Sequence, residues 1–146
     1  MNTIAFLILS SFYLLGPLLI QDNPKIPNAV IQAFNRNFND PSDVTWKRIN
    51  NGFEVAFDLL DVAHAARYTA DGELQMVKME LRQEDLPAAI LQQINEHYRR
   101  YQIDEIAQIK MANRLLIQLG ISSRTDNKKL VFSPNGEIEE DVAYWE

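Results

Sequence analysis

The residues Ala66–Leu74 read ARYTADGEL, and a similar stretch, KLVFSPNGEI, follows at Lys129–Ile138. The glycines of the two stretches, Gly72 and Gly136, are 64 positions apart. Asp-Gly and Asn-Gly are typical of tight hairpin turns, because both dipeptides accept the positive φ angles that such turns need. A calcium loop is the alternative, but neither stretch carries the series of oxygen ligands that calcium requires. We therefore interpret each stretch as the turn before the last strand of a repeated unit.

A helix begins each of these units, at an offset of 60 positions. Pro27 and Pro87 stand where the first turn of a helix tolerates proline, and apolar residues follow at helical spacing. The matched apolar residues are Val30, Ile31, Phe34 and Phe38 in the first helix and Ile90, Leu91, Ile94 and Tyr98 in the second. The same helix therefore occurs twice in the chain.

A hairpin with alternating apolar residues lies between the helix and the turn of each unit, at an offset of 62. The matched residues are Phe53, Val55 and Phe57 in the first unit and Leu115, Ile117 and Leu119 in the second. We assign the growth of the offset to connections such as SSRTDN, residues 122–127, because loops accept insertions more readily than packed elements do.

The repeat predicts an α+β fold of two tandem repeats, residues 26–81 and 86–145, within a single domain of residues 21–146. Each repeat is expected to contribute one helix and four antiparallel strands. A unit of this size buries only one face of its sheet, so we expect one curved sheet of about eight strands with both helices on one face. The other face is then open to a partner.

Residues 1–20 form a separate segment, which we interpret as a signal peptide or an N-terminal anchor. The segment is apolar from Ile4 to Ile20 apart from a few polar residues and a Gly-Pro break, and charge begins at Asp22. No basic residue precedes the apolar run, and its length is short for a membrane span. We favour export with cleavage near Gln21, which places the protein in the periplasm or outside the cell. Membrane contact is expected only through an uncleaved segment.

Composition argues against several classes of activity. The net charge of -6 repels phosphate backbones, so nucleic acid binding is disfavoured. The chain has no cysteine, which excludes a cysteine nucleophile and a thiolate metal site. The two histidines, His64 and His97, have no recognisable third ligand or orienting group nearby, and we interpret both as structural. We predict no catalytic residue, no cofactor and no metal.

The chain from Ile26 to Trp145 resembles a secreted PepSY-like family described as β-lactamase-inhibitor-like and known mainly from Bacteroidetes-type bacteria. The likeness is carried by the two prolines that begin the helices, by AFNRNF leading to VTW, by GFEVAF, and by Y-x-x-D-G at Tyr68–Gly72, echoed at Phe132–Gly136. The resemblance implies a periplasmic or secreted protein without cofactor. It also implies a concave sheet like that of the β-lactamase inhibitor protein, which grips another protein with that face.

We therefore expect an exported, non-catalytic binding protein whose partner is another protein, such as an envelope hydrolase that it inhibits or regulates. The alternative is a carrier of a small apolar or peptide ligand in the periplasm. Tryptophan and tyrosine are the residue types that most often dominate protein interfaces. The candidate partner contacts are Trp46, Tyr68, Phe132, Tyr144 and Trp145.

Overall fold

The computed structural model describes residues 24–146, which form an α+β fold. The elements are α1 (Asn28–Asn37), β1 (Ser42–Ile49), β2 (Gly52–Leu59), β3 (Val62–Tyr68), β4 (Leu74–Glu80), α2 (Ala88–His97), β5 (Gln102–Met111), β6 (Arg114–Ser122) and β7 (Asn127–Phe132). The strands form one antiparallel sheet in chain order. The predicted signal peptide or anchor lies outside the described residues. Within residues 24–146, no helix has the length and apolar character needed to cross a membrane.

Both helices pack on the same face of the sheet, as the sequence predicts. Each helix buries one apolar stripe against alternate residues of the strands beneath it. The core under α1 contains Val30, Ala33, Phe34, Phe53, Val55, Phe57, Ala66 and Tyr68. The core under α2 contains Leu86, Ile90, Ile94, Ile106, Ile117, Leu119, Ile121 and Phe132. We call the opposite side of the sheet the helix-free face.

The sheet of the described residues has seven strands, so the prediction of about eight strands is wrong. After the second turn, Ile138 pairs with Phe132, and the Glu139 N–H donates to the Val131 carbonyl over 2.8 Å. Pairing stops at the three acidic residues 139–141, because acidic residues are poor strand formers and an eighth strand would be paired on one side only. We call residues 139–146 the tail.

The two glycine turns lie in the same relation to the two helices. Gly72 and Gly136 have φ angles of +89° and +85°, which favour glycine. A Cβ atom on Gly72 would come within 2.7 Å of the Ala29 carbonyl oxygen, and one on Gly136 within 3.0 Å of the Ala89 backbone. Each turn therefore packs closely against the first turn of a helix, and at Gly72 the distance leaves no room for a Cβ atom.

The strand pairing corrects the alignment of the two halves. Phe53 pairs with Tyr68, and Ile117 pairs with Phe132, so Ile117 occupies the place that the sequence assigned to Leu115. The offset from β2 to β6 is therefore 64 and not the predicted 62, although the hairpin tips, Ile49–Gly52 and Met111–Arg114, do lie 62 positions apart. The extra residues lie in β5 and β6, which have 10 and 9 residues where β1 and β2 have 8 each. The face assignment survives because a slip of two residues preserves the side of a strand.

Candidate functional site

The tail crosses the helix-free face and buries Trp145 there. Trp145 is 3% exposed and packs in a small apolar cluster with Ile109, Leu116 and Val131. The predicted open face is therefore partly covered by the chain itself. The tail takes this path because the indole ring gains a large apolar contact area on the helix-free face. An eighth strand at the edge of the sheet would not bury the ring in this way.

Four strands supply the polar contacts of Trp145. The indole Nε1–H donates to Glu54 Oε2 over 3.0 Å, and the Arg67 guanidinium lies 4.3 Å from the ring centroid. The Trp145 carbonyl accepts hydrogen bonds from Gln118 Nε2 at 2.8 Å and from Lys78 Nζ at 3.0 Å. The Trp145 N–H donates to Gln118 Oε1 over 3.0 Å. We call the set Glu54, Arg67, Lys78 and Gln118 the tryptophan site.

Glu54 is a buried carboxylate in the middle of β2, and two basic side chains neutralise it. Lys47 Nζ lies 2.7 Å from Oε1, and Arg67 Nε lies 2.7 Å from Oε2. Burial acts to raise the pKa of Glu54, but the hydrogen bonds and charges of Lys47 and Arg67 outweigh it and hold the pKa below its ordinary value. The carboxylate is therefore ionised at neutral pH and accepts a hydrogen bond from the indole N–H.

Tyr144 and Glu146 hold the tail on either side of the indole. Tyr144 donates its hydroxyl proton to Glu105 Oε2 over 3.0 Å, and Glu105 also pairs with Lys78 at 2.9 Å. Burial, together with the charge of Glu105, raises the pKa of Tyr144 well above its ordinary value. The side-chain carboxylate of Glu146 pairs with the ammonium group of Lys129. The tail is thus held by side-chain contacts after its brief pairing with β7.

A hollow of about 370 Å³ lies beside the tryptophan site on the same face. Four alanines on β2, β3 and β5 line its floor, namely Ala56, Ala63, Ala65 and Ala107. We call this depression the alanine hollow. Its rim includes Lys78, Glu80, Glu105 and Glu146. Alanine leaves space above the sheet that larger side chains would fill, so the uncovered part of the face is a charged-rimmed depression.

The candidate partner contacts divide between the two faces. Tyr68 and Phe132 are 1% and 0% exposed in the helix-side cores, and Trp46 packs against Phe34 and Tyr68 on the same side. Tyr144 and Trp145 lie on the helix-free face, where they belong to the tail and contact the sheet of the same chain. Contact of these five residues with a partner stays a prediction, and in this arrangement Tyr68 and Phe132 are inaccessible.

The sequence interpretation missed Glu54 and Gln118, which occupy equivalent places. They are 64 positions apart, and their strand partners Arg67 and Val131 are also 64 apart. Both are buried polar residues with apolar residues on either side in the strand. A polar residue in the middle of GFEVAF and of LLIQLG was the available signal, and the offset of 62 concealed the match.

Of the two histidines, His64 borders the alanine hollow, whereas His97 lies outside it. His64 is stacked on Phe57, and its Nδ1 lies 2.8 Å from the Val62 carbonyl oxygen. His97 is exposed at the end of α2, with Glu96 Oε2 3.9 Å from its Nε2. Within residues 24–146, no group of three or more potential ligand side chains is placed to hold a metal ion.

A second depression lies on the helix side, between the end of α1 and the central strands. Its volume is about 610 Å³. Phe38, Val77 and Met79 supply apolar surface, while Gln108 and Lys110 supply polar groups. The cleft is open to solvent and is separate from the tryptophan site.

Comparison with known proteins shows a shared fold. No protein-family model matches the chain, and no curated protein matches it. A Bacteroides eggerthii DSM 20697 protein, provisionally assigned to the periplasm, superposes with a TM-score of 0.74 at 13% identity, over 79% of this chain and 86% of that one.

Two further solved structures have the same architecture. A DUF2874 family protein from Bacteroides uniformis ATCC 8492 has a TM-score of 0.72 at 13% identity, over 77% of this chain and 85% of that one. A BLIP-like protein from Bacteroides fragilis NCTC 9343 has a TM-score of 0.70 at 16% identity, over 80% of this chain and 85% of that one. The chain thus has a BLIP-like fold.

Proposed function

We propose that this chain is an exported, non-catalytic binding protein that recognises another protein with its helix-free face. The observation that carries the proposal is the alanine hollow, a depression of about 370 Å³ that is bounded by charged side chains and by the tail. A charged rim around an uncovered apolar floor suits recognition of a protein surface. An envelope hydrolase that is inhibited or regulated is the partner class that we favour.

Export of the protein, its family and its origin by repetition are proposed together with this function. The BLIP-like fold and the periplasmic assignment of one structural neighbour support export, together with the apolar segment at residues 1–20. Membership of the PepSY-like family and an origin by tandem repetition are part of the same proposal. The matching positions of the two glycine turns and of Glu54 and Gln118 support the repetition.

Site-specific photo-crosslinking tests the use of the alanine hollow. A photoreactive phenylalanine at Ala63, which is exposed on the hollow, should capture a specific protein from an envelope extract of the host. The same group at Ala88, exposed on α2, is the matched control. Filling the hollow with Ala56→Arg should reduce capture at least tenfold, whereas Ala88→Arg should not. Equal capture from positions 63 and 88 contradicts the proposal.

The cleft on the helix side favours a second function, that of a carrier for a small apolar or peptide ligand. Its volume of about 610 Å³ suits a small ligand, and Phe38, Val77 and Met79 supply apolar contacts. Native mass spectrometry of protein purified from its own host should show a bound species, which Met79→Trp should exclude by filling the cleft. Protein that arrives without a ligand contradicts this second function.

A further inference from the structure

The tail occupies the helix-free face in the manner of a bound peptide. Trp145 has its N–H, its carbonyl oxygen and its indole N–H each paired with a side chain of the sheet. Its ring is covered by Arg67 and packs on the apolar cluster of β5, β6 and β7. Side chains of the sheet therefore bind both the indole group and the backbone groups of this residue.

The contacts also define which chemistry the face accepts. Glu54 accepts a hydrogen bond from the indole nitrogen, a donor that tryptophan provides and phenylalanine lacks. Lys129 pairs with Glu146, the acidic residue that follows the tryptophan. Lys78 donates a hydrogen bond to the backbone carbonyl of Trp145. The preferred ligand is thus a segment in which an acidic residue follows tryptophan.

The tail is attached in a way that permits exchange. Beyond Glu139, the backbone of the tail makes one hydrogen bond within the tail, from the Val142 N–H to the Glu139 carbonyl over 3.3 Å. Each hydrogen bond between this part of the tail and the sheet involves a side chain. Lys129 and Glu146 are both largely exposed, so water and salt weaken their attraction. A competing segment with the same groups can replace these contacts one for one.

We propose that the tryptophan site binds a tryptophan-bearing acidic segment of the protein partner, and that residues 142–146 are an intramolecular ligand that this segment displaces. The proposal rests on the proposed function, since it names the chemistry by which the helix-free face recognises its partner. Displacement of the tail also uncovers the Glu146 side of the alanine hollow, so the two parts of the face form one continuous surface.

A peptide with the sequence of residues 141–146, Asp-Val-Ala-Tyr-Trp-Glu, is the probe. Its affinity is measured by fluorescence anisotropy against the full chain and against the full-length Trp145→Ala variant. A tethered segment competes at a high effective concentration, so the variant should bind the peptide at least tenfold more tightly than the unmodified chain. Adding Gln118→Ala to the variant should weaken binding at least tenfold, and replacing tryptophan in the peptide by alanine should abolish it.

A second variant covers the case in which Trp145→Ala does not fold. Glu146→Lys changes an exposed side chain and places a positive charge beside Lys129. It should raise the affinity of the full chain for the peptide several-fold. Equal peptide affinity for the unmodified chain and for the folded variants overturns the proposal. A concentration-dependent dimer that is lost in Trp145→Ala also overturns it, because the occupant would then be a second copy.

These outcomes separate the two proposals. If the peptide fails to bind while capture from position 63 persists and depends on Ala56, the tryptophan site is only a structural support for the tail and the proposed function stands. If capture from position 63 also fails, the proposed use of the helix-free face fails with it.

Discussion

The indole N–H of Trp145 donates a 3.0 Å hydrogen bond to Glu54, which lies 91 residues earlier in the chain. The bond joins the tail to the second strand of the sheet. Because the backbone of the same tryptophan is bound by Gln118, one residue connects the two halves of the fold. The helix-free face is therefore organised around the tail.

Shortening Trp145 should destabilise the protein in two steps. Trp145→Phe removes the indole donor and leaves the other contacts in place, at an expected cost of about 1–2 kcal/mol. Trp145→Ala also removes the buried ring, at an expected cost of about 3 kcal/mol or more. Urea unfolding followed by circular dichroism measures both. Tyr144→Phe, which loses an exposed bond to Glu105, is the control and should cost less than about 1 kcal/mol.

The outcome that contradicts this ranking is a similar free energy of unfolding for Trp145→Ala and Tyr144→Phe. In that case the tail would contribute little to the stability of the sheet.

Glu54 makes stability depend on pH on the acidic side. Its pKa is lowered in the folded protein, so its contribution is fully present above the pKa of the unfolded carboxyl group, about 4.3. That contribution should be lost as the pH falls from about 4.3 through the lower folded pKa. Urea unfolding between pH 7 and pH 3 should show the loss, and Glu54→Gln should reduce the slope.

Glu105 provides the comparison for this experiment. Burial acts to raise its pKa, but Lys78 and Tyr144 outweigh that effect and the pKa is lowered, so Glu105 adds a slope of the same sign. Glu105→Gln should therefore leave the part of the slope that belongs to Glu54. A profile that is identical for the unmodified chain and for Glu54→Gln contradicts the assignment.

Much of the fold could be predicted from the sequence because it depends on local patterns. Helical spacing after Pro27 and Pro87 and alternation in GFEVAF identified the helices, the strands and the face that the helices cover. The end of the second unit could not be predicted in the same way. Its last segment contains three acidic residues and a tryptophan, and their placement depends on contacts with distant strands.

The helix-free face was harder to predict than the fold. The sequence predicts Trp145 as a contact with a protein partner, but its contacts within the chain, Glu54 and Gln118, are isolated polar residues between apolar ones. Their equivalence becomes visible only when the offset of 64 replaces 62, and that correction comes from strand pairing. Long-range pairing is not encoded in local spacing.

The glycine turns should tolerate substitution poorly, and to different degrees. Gly72→Ala and Gly136→Ala both place a Cβ atom at positive φ, at an expected cost of about 1–2 kcal/mol each. Gly72 should be the more sensitive, because its Cβ atom would lie 2.7 Å from the Ala29 carbonyl oxygen, against 3.0 Å from the Ala89 backbone for Gly136. Thermal unfolding measures the difference.

Gly120 is the matched control, since its nearest neighbour is a side-chain atom at 3.3 Å and its φ angle is not in the positive region. A larger loss of stability in Gly120→Ala than in Gly72→Ala contradicts the explanation by turn geometry.

Gln118 should control the release of the tail. It is 1% exposed and binds both backbone groups of Trp145, so Gln118→Ala removes two hydrogen bonds at once. The Trp145 amide should lose protection from hydrogen exchange by tenfold or more, because each lost bond is worth about 1 kcal/mol. Cleavage after Tyr144 by a protease specific for aromatic residues should accelerate in parallel. Gln108→Ala, on the helix side of β5, is the control and should change neither rate, whereas an unchanged Trp145 amide in Gln118→Ala contradicts this role.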